Sequence, residues 1–579
     1  MLPVRGPFVL LDDARPGGHG TLYTDPVEII SAATPDEVRP ALARLRAALA
    51  AGHHAAGYMT YEAGGAFVGT PAFPSASGPL LWFGLFDRAD PYDAPPFPDP
   101  AGAFCMPPEP LIDYPAYARA FAEAQALIAA GEVYQLNLSF PNRVRIGGHP
   151  LALYARLRAA AGAGRGAIVH DGARWLLSFS PELFFRIDGR RIAARPMKGT
   201  SRRGGTPAED DASAEALAAD PKQRAENLMI VDLLRNDIAR VARPGSVCVP
   251  ELFTVERYPT VLQMVSAIEA DLAAGQDAVA AIEALFPCGS ITGAPKLRAM
   301  AAIAALEQRA RGAYTGAIGA LAPNGDAAFN VAIRTLVIEE GGDTASIGLG
   351  SGIVADSTAP DEWAECLAKG AFLNAGAPGF DLLETMRFDP VEGLLECERH
   401  LARLKASADT FGFAFDRHAA RNELHAATFR LAVGMRVRVR LARSGALAIA
   451  VTPLPQPPTG AVTVTLAPLP VDPADIRLLH KTSDRRFYDR ARAAAGTFEV
   501  AFVDTQGFVT EGSFTSLFVR RADGRLLTPP LSRPMLPGVL RDALIAAGEA
   551  IEGDLRPEDL AEGFLIGNAL RGLIGARLA

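Results

Sequence analysis

The sequence predicts a mixed fold class, α+β with α/β character, arranged as two large units. Three observations carry this. The chain has 579 residues, well beyond one ordinary domain of roughly 150 residues. Its apolar pattern switches repeatedly between the strand period and the helical period. A small-residue stretch, NAGAPG (Asn374–Gly379), separates one run of such elements from another.

The elements follow in order. Residues 1–93 hold short apolar runs broken by Gly and Pro, such as PFVLLDD and LWFGLFD (Leu81–Asp87), which read as strands. APPFPDPAG (Ala94–Gly102) is a Pro-rich connector. Pro115–Ala130 is amphipathic and reads as a helix, Gly131 ends it, and Val133–Phe140 alternates as a strand. Asp220–Val241 reads as a second helix with Pro221 at its first position. A third begins after Thr358. The expected division is 1–93 and 94–373 within the first unit, 374–379 as linker, and 380–579 as the second unit. No internal repeat is evident.

Composition narrows the function. A net charge of −8 and a pI of about 5.7 argue against a nucleic-acid or anionic-membrane surface. The chain is 49% hydrophobic and 21% charged, enough to bury a core. Five scattered cysteines without a CxxC pair suggest neither a disulfide framework nor a zinc site. No apolar stretch is long enough to span a membrane, and the N-terminal apolar run is too short for a signal peptide. The expectation is a soluble, cytoplasmic protein. Of 57 Lys and Arg residues only six are lysine: Lys198, Lys222, Lys296, Lys369, Lys405 and Lys481. Arginine stays protonated and makes a poor nucleophile, so each lysine is a candidate for chemistry arginine cannot do.

Eight segments between residues 131 and 369 are rich in polar residues and glycine: GEVYQLNLS (Gly131–Ser139), SPELFF (Ser180–Phe185), RPMKGTSRRG (Arg195–Gly204), Lys222–Asp237, FPCGSITGAPK (Phe286–Lys296), YTGAIG (Tyr314–Gly319), NVAIRTL (Asn330–Leu336) and Gly348–Lys369. Physically they suggest an anionic ligand with a divalent cation. Glycines allow backbone N–H groups close to a ligand. Arg334 could clamp a carboxylate. Glu362 and Glu365 share a helix face and Glu226 sits near the start of another helix, a set suited to Mg²⁺. Each glutamate alone reads equally well as a solvated acid at a helix terminus.

Together the segments resemble the chorismate-utilising enzymes, which include anthranilate, aminodeoxychorismate, isochorismate and salicylate synthases. The resemblance implies a β-sandwich-like α+β domain that binds chorismate. It places Glu226, Glu362 and Glu365 around Mg²⁺ and makes Glu182 the acid that protonates the departing C4 hydroxyl. It assigns Gln135, Thr200, Ser290, Thr292, Lys296, Tyr314, Arg334, Gly350 and Gly352 to the substrate, with Lys296 in an electrostatic or structural part. Isochorismate-type members carry a lysine base where this chain has Gln135, which points to an ammonia-using member. In the segment RPMKGT, anthranilate synthases resemble PIAGT and aminodeoxychorismate synthases PIKGT, so Lys198 implies the latter. By resemblance Lys198 attacks C2 of chorismate; its other reading is a carboxylate partner. The chain departs from the family at TVLQMVS, where Gln263 replaces a histidine. No counterpart of the amino-acid pocket of related enzymes is legible in residues 1–93. None of the cysteines has a glutaminase setting, so a separate glutamine amidotransferase subunit, or free ammonia, is implied.

The second unit holds DLLETMR (Asp381–Arg387), ERHLARL (Glu398–Leu404), RVRVRLARSG (Arg436–Gly445), LLHKTSDRRFYDRAR (Leu478–Arg492), FVDTQGFVTEGSFTSLFV (Phe502–Val519), MLPGVLRDAL (Met535–Leu544) and LIGNALRGL (Leu565–Leu573). A helix opening at Leu536–Gly538 suits a phosphate. With Lys481 and Glu511 this suggests pyridoxal phosphate. Order and spacing resemble the fold-type IV pyridoxal-phosphate enzymes: aminodeoxychorismate lyases and the branched-chain and D-amino-acid aminotransferases. The resemblance makes Lys481 the cofactor lysine and catalytic base and sets Glu511 at the pyridine nitrogen. It sets Arg403 and the backbone at Val539 and Leu540 at the phosphate, and allows a homodimer through this unit. Arg403 alone reads equally as a solvated helix arginine. Ser516 stands where the family has Asn, and the family's opening strand-and-loop segment is missing. The fusion favours a lyase acting on the first unit's product. An unrelated aminotransferase, a degenerate interaction module and an anthranilate synthase are the alternatives.

Overall fold

The computed structural model describes residues 6–68, 78–92, 97–257 and 261–579; Ala94–Pro96 of the connector and Thr260 of TVLQMVS lie outside the described residues. The chain forms two compact units. The first comprises Met1–Phe97, Pro107–Ile146 and Tyr154–Ala375; the second comprises Pro98–Met106, Gly147–Leu153 and Gly376–Ala579.

The first unit is built on two large antiparallel sheets. One runs, neighbour to neighbour, through Gly293–Ala294, Gln135–Gly147, Thr344–Ile353, Thr335–Glu339, Arg174–Ser180, Arg165–His170, Phe8–Asp12, Gly20–Thr24 and Asp90–Tyr92. The other runs through Met197–Arg202, Val261–Asp271, Arg191–Arg195, Leu183–Asp188, Ala327–Val331, Ala317–Leu321, His54–Met59, Leu81–Phe86 and Glu28–Ala32. Val9, Ala167, Val169 and Leu176 of the first sheet pack with Tyr58, Trp82, Ile318 and Ala320 of the second in one buried cluster. Two apolar faces closing on each other form a sandwich core. Helices cover the rest, each with a sequence-readable start. Asp113 caps Tyr114–Ala129, Asp220 caps Pro221–Ala239 and Thr358 caps Ala359–Lys369, and each cap side chain accepts from a backbone N–H of the first turn.

The second unit has a four-stranded antiparallel sheet and an eight-stranded mixed sheet. In the strand Met435–Leu441 the period of two places Val437, Val439 and Leu441 in the core and the intervening arginines on the opposite face. The helices Cys397–Phe411 and Arg417–Thr428 contribute Leu401, Leu404, Phe411 and Leu424 to the same core.

The stretch Pro98–Met106 completes this unit, and no boundary signal in the sequence marks it. Phe104 and Met106 are buried in the core cluster, and the Phe104 ring meets Phe411 edge-on at 4.9 Å. Asp99 pairs at 2.7 Å with Arg477, which also pairs with Asp475 at 2.6 Å and Asp484 at 2.9 Å. Arg477 and Asp475 are both buried. Arg477→Met strands a buried carboxylate, and the expected loss is about 3 kcal/mol. Denaturant unfolding followed by fluorescence measures it.

Candidate functional site

Two cavities gather the chemistry, one within each unit. The first has a volume of about 530 Å³. Lys198 reaches it from the edge strand Met197–Arg202, whose register against Val261–Asp271 shifts between Met197 and Thr200. Gly199 makes that bulge possible with a φ of 97°, a region other residues avoid. Asn227 anchors the bulge: its Nδ2 donates to the Lys198 carbonyl at 3.2 Å while Ser266 Oγ donates to its Oδ1 at 2.6 Å. Gln263 braces the far side, donating to the Gly199 carbonyl at 2.7 Å and accepting from Thr200 Oγ1 at 3.0 Å.

Gly350 and Gly352 form part of the opposite wall. A Cβ on Gly352 would stand 2.8 Å from Gln135 Nε2 and 3.3 Å from Lys198 Nζ, and one on Gly350 would stand 2.7 Å from the Tyr314 hydroxyl. Any side chain here would fill the cavity. Arg334 lines it with a left-handed backbone, φ 50°, a conformation that costs about 1–3 kcal/mol and clusters at functional sites.

Electrostatics set Lys198 and Glu182 apart from ordinary side chains. Burial pushes the Lys198 amine below the usual lysine range, and the nearby Lys369 ammonium pushes it further. Burial pushes the Glu182 carboxyl up, against a 2.7 Å hydrogen bond from Ser290 Oγ and the pull of Lys198. A low-pKa amine and a high-pKa acid thus share one cavity, the pairing that lets one act as nucleophile and the other as proton donor.

Glu226, Glu362 and Glu365 line the same cavity. Burial pushes Glu226 up. Burial would also raise Glu365, but Lys369, paired with it at 2.8 Å, holds it below the usual range. Ser357 Oγ donates to Glu362 Oε1 at 2.6 Å, whereas Glu362 Oε2 is buried with no hydrogen-bond partner. Among the described residues no group of three His, Cys, Asp or Glu side chains stands close enough to hold a metal alone. An all-oxygen set with an orphaned carboxylate oxygen fits Mg²⁺, which takes much of its shell from water and substrate.

Thr200, Ser290, Tyr314, Arg334, Gly350 and Gly352 therefore share the cavity wall with Lys198 and Glu182. Gln135, Thr292 and Lys296 stand behind it. Thr292 donates to the Cys288 carbonyl at 2.8 Å and so shapes the turn that carries Ser290. Lys296 pairs with Asp237 at 2.5 Å and donates to the Leu285 carbonyl at 2.8 Å. Sequence reasoning gave Lys369 no role, yet it lines the cavity, donates to the Gly350 carbonyl at 2.9 Å and tunes both Lys198 and Glu365. Its scarcity as a lysine was the available signal. Asn227 carried none.

The second cavity, about 380 Å³, is lined by Lys481, Glu511, Arg403, Val539 and Leu540 together. Burial, with Arg403, Arg485 and Arg438 nearby, brings the Lys481 amine down to about 7 against the pull of Glu384. Burial pushes Glu511 up to about 7. The Tyr488 hydroxyl and the Leu536 N–H both donate to it, the latter at 3.2 Å. Arg403 is fixed by Glu384 at 2.8 and 2.7 Å, and its Nη1 donates to the Pro537 carbonyl at 2.8 Å. That contact ties the helix Cys397–Phe411 to the loop opening the helix Val539–Ala546. His400 bonds Glu384 through Nδ1 at 2.7 Å, while its Nε2 is buried without a partner. A Cβ on Gly538 would stand 2.5 Å from Ser516 Oγ, so the loop approaches closely only because it is glycine. Lysine, buried acid, arginine and helix N-terminus in one pocket, with an orphaned imidazole nitrogen on its wall, fit pyridoxal phosphate. Glu384, His400 and Tyr488 were not singled out from the sequence, because each acts through a residue distant in the chain.

Comparison with known proteins accords with this geometry. The chorismate binding enzyme family matches residues 6–375 and the amino-transferase class IV family matches residues 381–579. An aminodeoxychorismate synthase of Streptomyces pristinaespiralis is 45% identical over 258 residues, covering 44% of this chain and 35% of its own. An anthranilate synthase component 1 of Methanothermobacter thermautotrophicus is 42% identical over 247 residues, covering 43% of this chain and 53% of its own. The chain thus spans between about a third and a half of these relatives' lengths. The crystal structure of anthranilate synthase component I from Streptococcus pneumoniae TIGR4 superposes with a TM-score of 0.55 at 25% identity, covering 61% of this chain and 92% of that one. No helix among the described residues is long and apolar enough to cross a membrane. The chain belongs to the chorismate binding enzyme family, and a class IV amino-transferase domain follows in the same polypeptide.

Proposed function

We propose that this chain makes 4-aminobenzoate from chorismate in two steps, one in each cavity. The observation that carries the reading is that one cavity holds both Lys198, whose amine burial pushes below the usual lysine range, and Glu182, whose carboxyl burial pushes up. Glu226, Glu362 and Glu365 would hold Mg²⁺, which when bound supplies charge neutralisation for a substrate carboxylate. Arg334 offers a second carboxylate partner. Glu182 protonates the C4 hydroxyl, which leaves as water while Lys198 Nζ bonds to C2. Ammonia adds at C4, the C2–N bond to Lys198 breaks, and Glu182 recovers its proton from the new amine. The product is 4-amino-4-deoxychorismate.

In the second cavity Lys481, Glu511, Arg403 and the N–H groups of Val539 and Leu540 would hold pyridoxal phosphate. When bound, that group supplies an electron sink for the carbon bearing the amine. Lys481 takes the C4 proton, the ring C–O bond to the enolpyruvyl group breaks as the ring aromatises, and Lys481 returns that proton to the methylene carbon of the departing enolpyruvate, giving pyruvate. The unit's position behind a synthase of its substrate supports the lyase over an unrelated aminotransferase.

Ammonia comes from a separate glutamine amidotransferase or from solution. Three of the five thiols fit this: burial pushes Cys288 up to about 12 and Cys366 up to about 11, and raises Cys397. Such thiols make poor nucleophiles.

Chorismate, Mg²⁺, pyridoxal phosphate and ammonium with the full chain test the reading. The expected products are 4-aminobenzoate and pyruvate in equal amounts, resolved by chromatography; 2-aminobenzoate instead would assign an anthranilate synthase. Ser357→Ala frees Glu362 to turn, and the Mg²⁺ needed for half-maximal chorismate consumption is expected to rise about 10-fold or more.

A further inference from the structure

The second cavity contains more positive charge than a phosphate requires. Arg403 is balanced by Glu384, and Arg492 pairs with Asp489 at 3.4 Å. Arg485 donates to the Ser513 carbonyl at 2.8 Å and lies over the Tyr488 ring. Three more arginines line the same cavity: Arg436, Arg438 and Arg571. None has an acidic partner among the described residues. Arg436 donates only to Thr452 Oγ1, at 2.9 Å. Arg571 lies over Phe498 and Phe514 at 5.8 and 5.9 Å. Burial and the nearby Arg436 together pull Arg571 below the usual guanidinium range. Arg436 and Arg571 are half-buried and Arg438 is exposed, and two half-buried guanidinium groups that repel one another are an unfavourable arrangement unless an anion joins them.

The fold holds these residues in place. The alternation of Met435–Leu441 puts Arg436 and Arg438 on one face of the strand, away from the core. Register sets Arg436 opposite Arg387 and Thr452, and Arg438 opposite Thr385 and Ala450, so no cross-strand neighbour neutralises either. Arg571 sits in the turn after Phe564–Asn568. There Asn568 Oδ1 accepts from the N–H groups of Leu570 and Arg571 at 3.1 and 3.0 Å, and Asn568 Nδ2 donates to the Phe514 carbonyl at 3.0 Å.

We propose that Arg436, Arg438 and Arg571 form a two-carboxylate clamp that selects dicarboxylate substrates, with Arg436 and Arg571 sharing one carboxylate and Arg438 taking the other. A guanidinium matches a carboxylate with two parallel hydrogen bonds. An ordinary amino-acid substrate brings one α-carboxylate and would leave part of this charge unpaired. 4-Amino-4-deoxychorismate brings two, one on the ring and one on the enolpyruvyl group. The inference rests on the second cavity being the pyridoxal-phosphate site, and it deepens that reading by assigning the groups that choose the substrate.

The test compares 3-(carboxymethoxy)benzoate with its monocarboxylate analogue 3-methoxybenzoate on the full chain loaded with pyridoxal phosphate. Binding is followed by the cofactor's absorbance, which reports this cavity and not the chorismate cavity. The dicarboxylate is expected to bind at least about 10-fold more tightly. Arg438→Gln and Arg571→Gln are each expected to remove most of that preference while chorismate amination in the other cavity stays unchanged, which controls for folding. With 4-amino-4-deoxychorismate Arg571→Gln is expected to raise KM about 10- to 100-fold with kcat little affected, and Arg438→Gln, whose charge also acts on Lys481, to raise KM by a similar factor. A wild type indifferent to the second carboxylate, or variants that keep the preference, overturn the clamp. A wild type that keeps the preference but releases no pyruvate from 4-amino-4-deoxychorismate leaves the clamp standing and removes the lyase reading.

Discussion

Lys198→Ala is expected to reduce chorismate amination at least roughly 10³-fold, the scale on which loss of a covalent nucleophile is felt. Neither Lys222 nor Lys369, the other lysines on the cavity wall, is placed to replace it. Lys222 pairs with Asp356 at 2.7 Å. Lys369 is bound to Glu365 and the Gly350 carbonyl, and although burial works against its charge, Glu365 with Cys366 and Tyr314 together raise it above the usual lysine range. Lys198→Arg separates the two roles open to this residue. Arginine preserves the positive charge but offers no neutral amine at working pH. If Lys198 acts by covalent attack, the arginine variant is as inactive as the alanine variant. Activity restored by arginine would reduce Lys198 to a carboxylate partner. Chorismate consumption, read by loss of its ultraviolet absorbance, decides the matter. Cofactor loading in the second cavity is expected to remain normal in both variants.

Lys481→Ala is expected to stop pyruvate release while amination continues, so that 4-amino-4-deoxychorismate accumulates. A general base contributes about 10²–10⁴-fold, and the same lysine also anchors the cofactor, so the loss falls at the upper end of that range or beyond. Borohydride reduction of the wild type should fix pyridoxal phosphate covalently, and the variant should retain none. The pH dependence has a definite sign. Burial and three neighbouring arginines place the Lys481 amine at about 7, so it is neutral above that pH and protonated below. The rate of cofactor attachment to the apoprotein should therefore rise through pH 7 and level off above it. An ordinary exposed lysine would keep gaining towards pH 10.

The two lysines illustrate what could be read from the sequence. Each sits in a segment whose order and spacing resemble an enzyme family, and scarcity of lysine in an arginine-rich chain drew attention to both. The capped helices and alternating strands were legible for a related reason: they are set by residues close in sequence, such as Asp220 before Pro221 or the RVRVRL alternation. What acts on those lysines from a distance was not legible. Asn227 fixes the Lys198 backbone from another helix, and Lys369 depresses the amine of Lys198 from a different strand–helix pair. Glu384 holds Arg403 from a strand before its helix. Such contacts depend on tertiary packing, and periodicity carries no information about them.

Gly102 is followed closely by Phe104 and Met106 in the core of the unit that carries Lys481, and a Cβ on Gly102 would stand 2.6 Å from the Asp475 carboxylate. Arg477, which Asp99 pairs with, lies four residues before Lys481. The unit that contains the class IV amino-transferase match therefore begins in the chain long before that match does. A gene fragment starting at Gly376 would encode a protein with a gap where Phe104 belongs and a catalytic loop missing one of its braces. A recombination event that joined or separated the two halves at that point would have to rebuild this strap, and any attempt to express the halves apart should carry residues 98–106 as a grafted N-terminal segment.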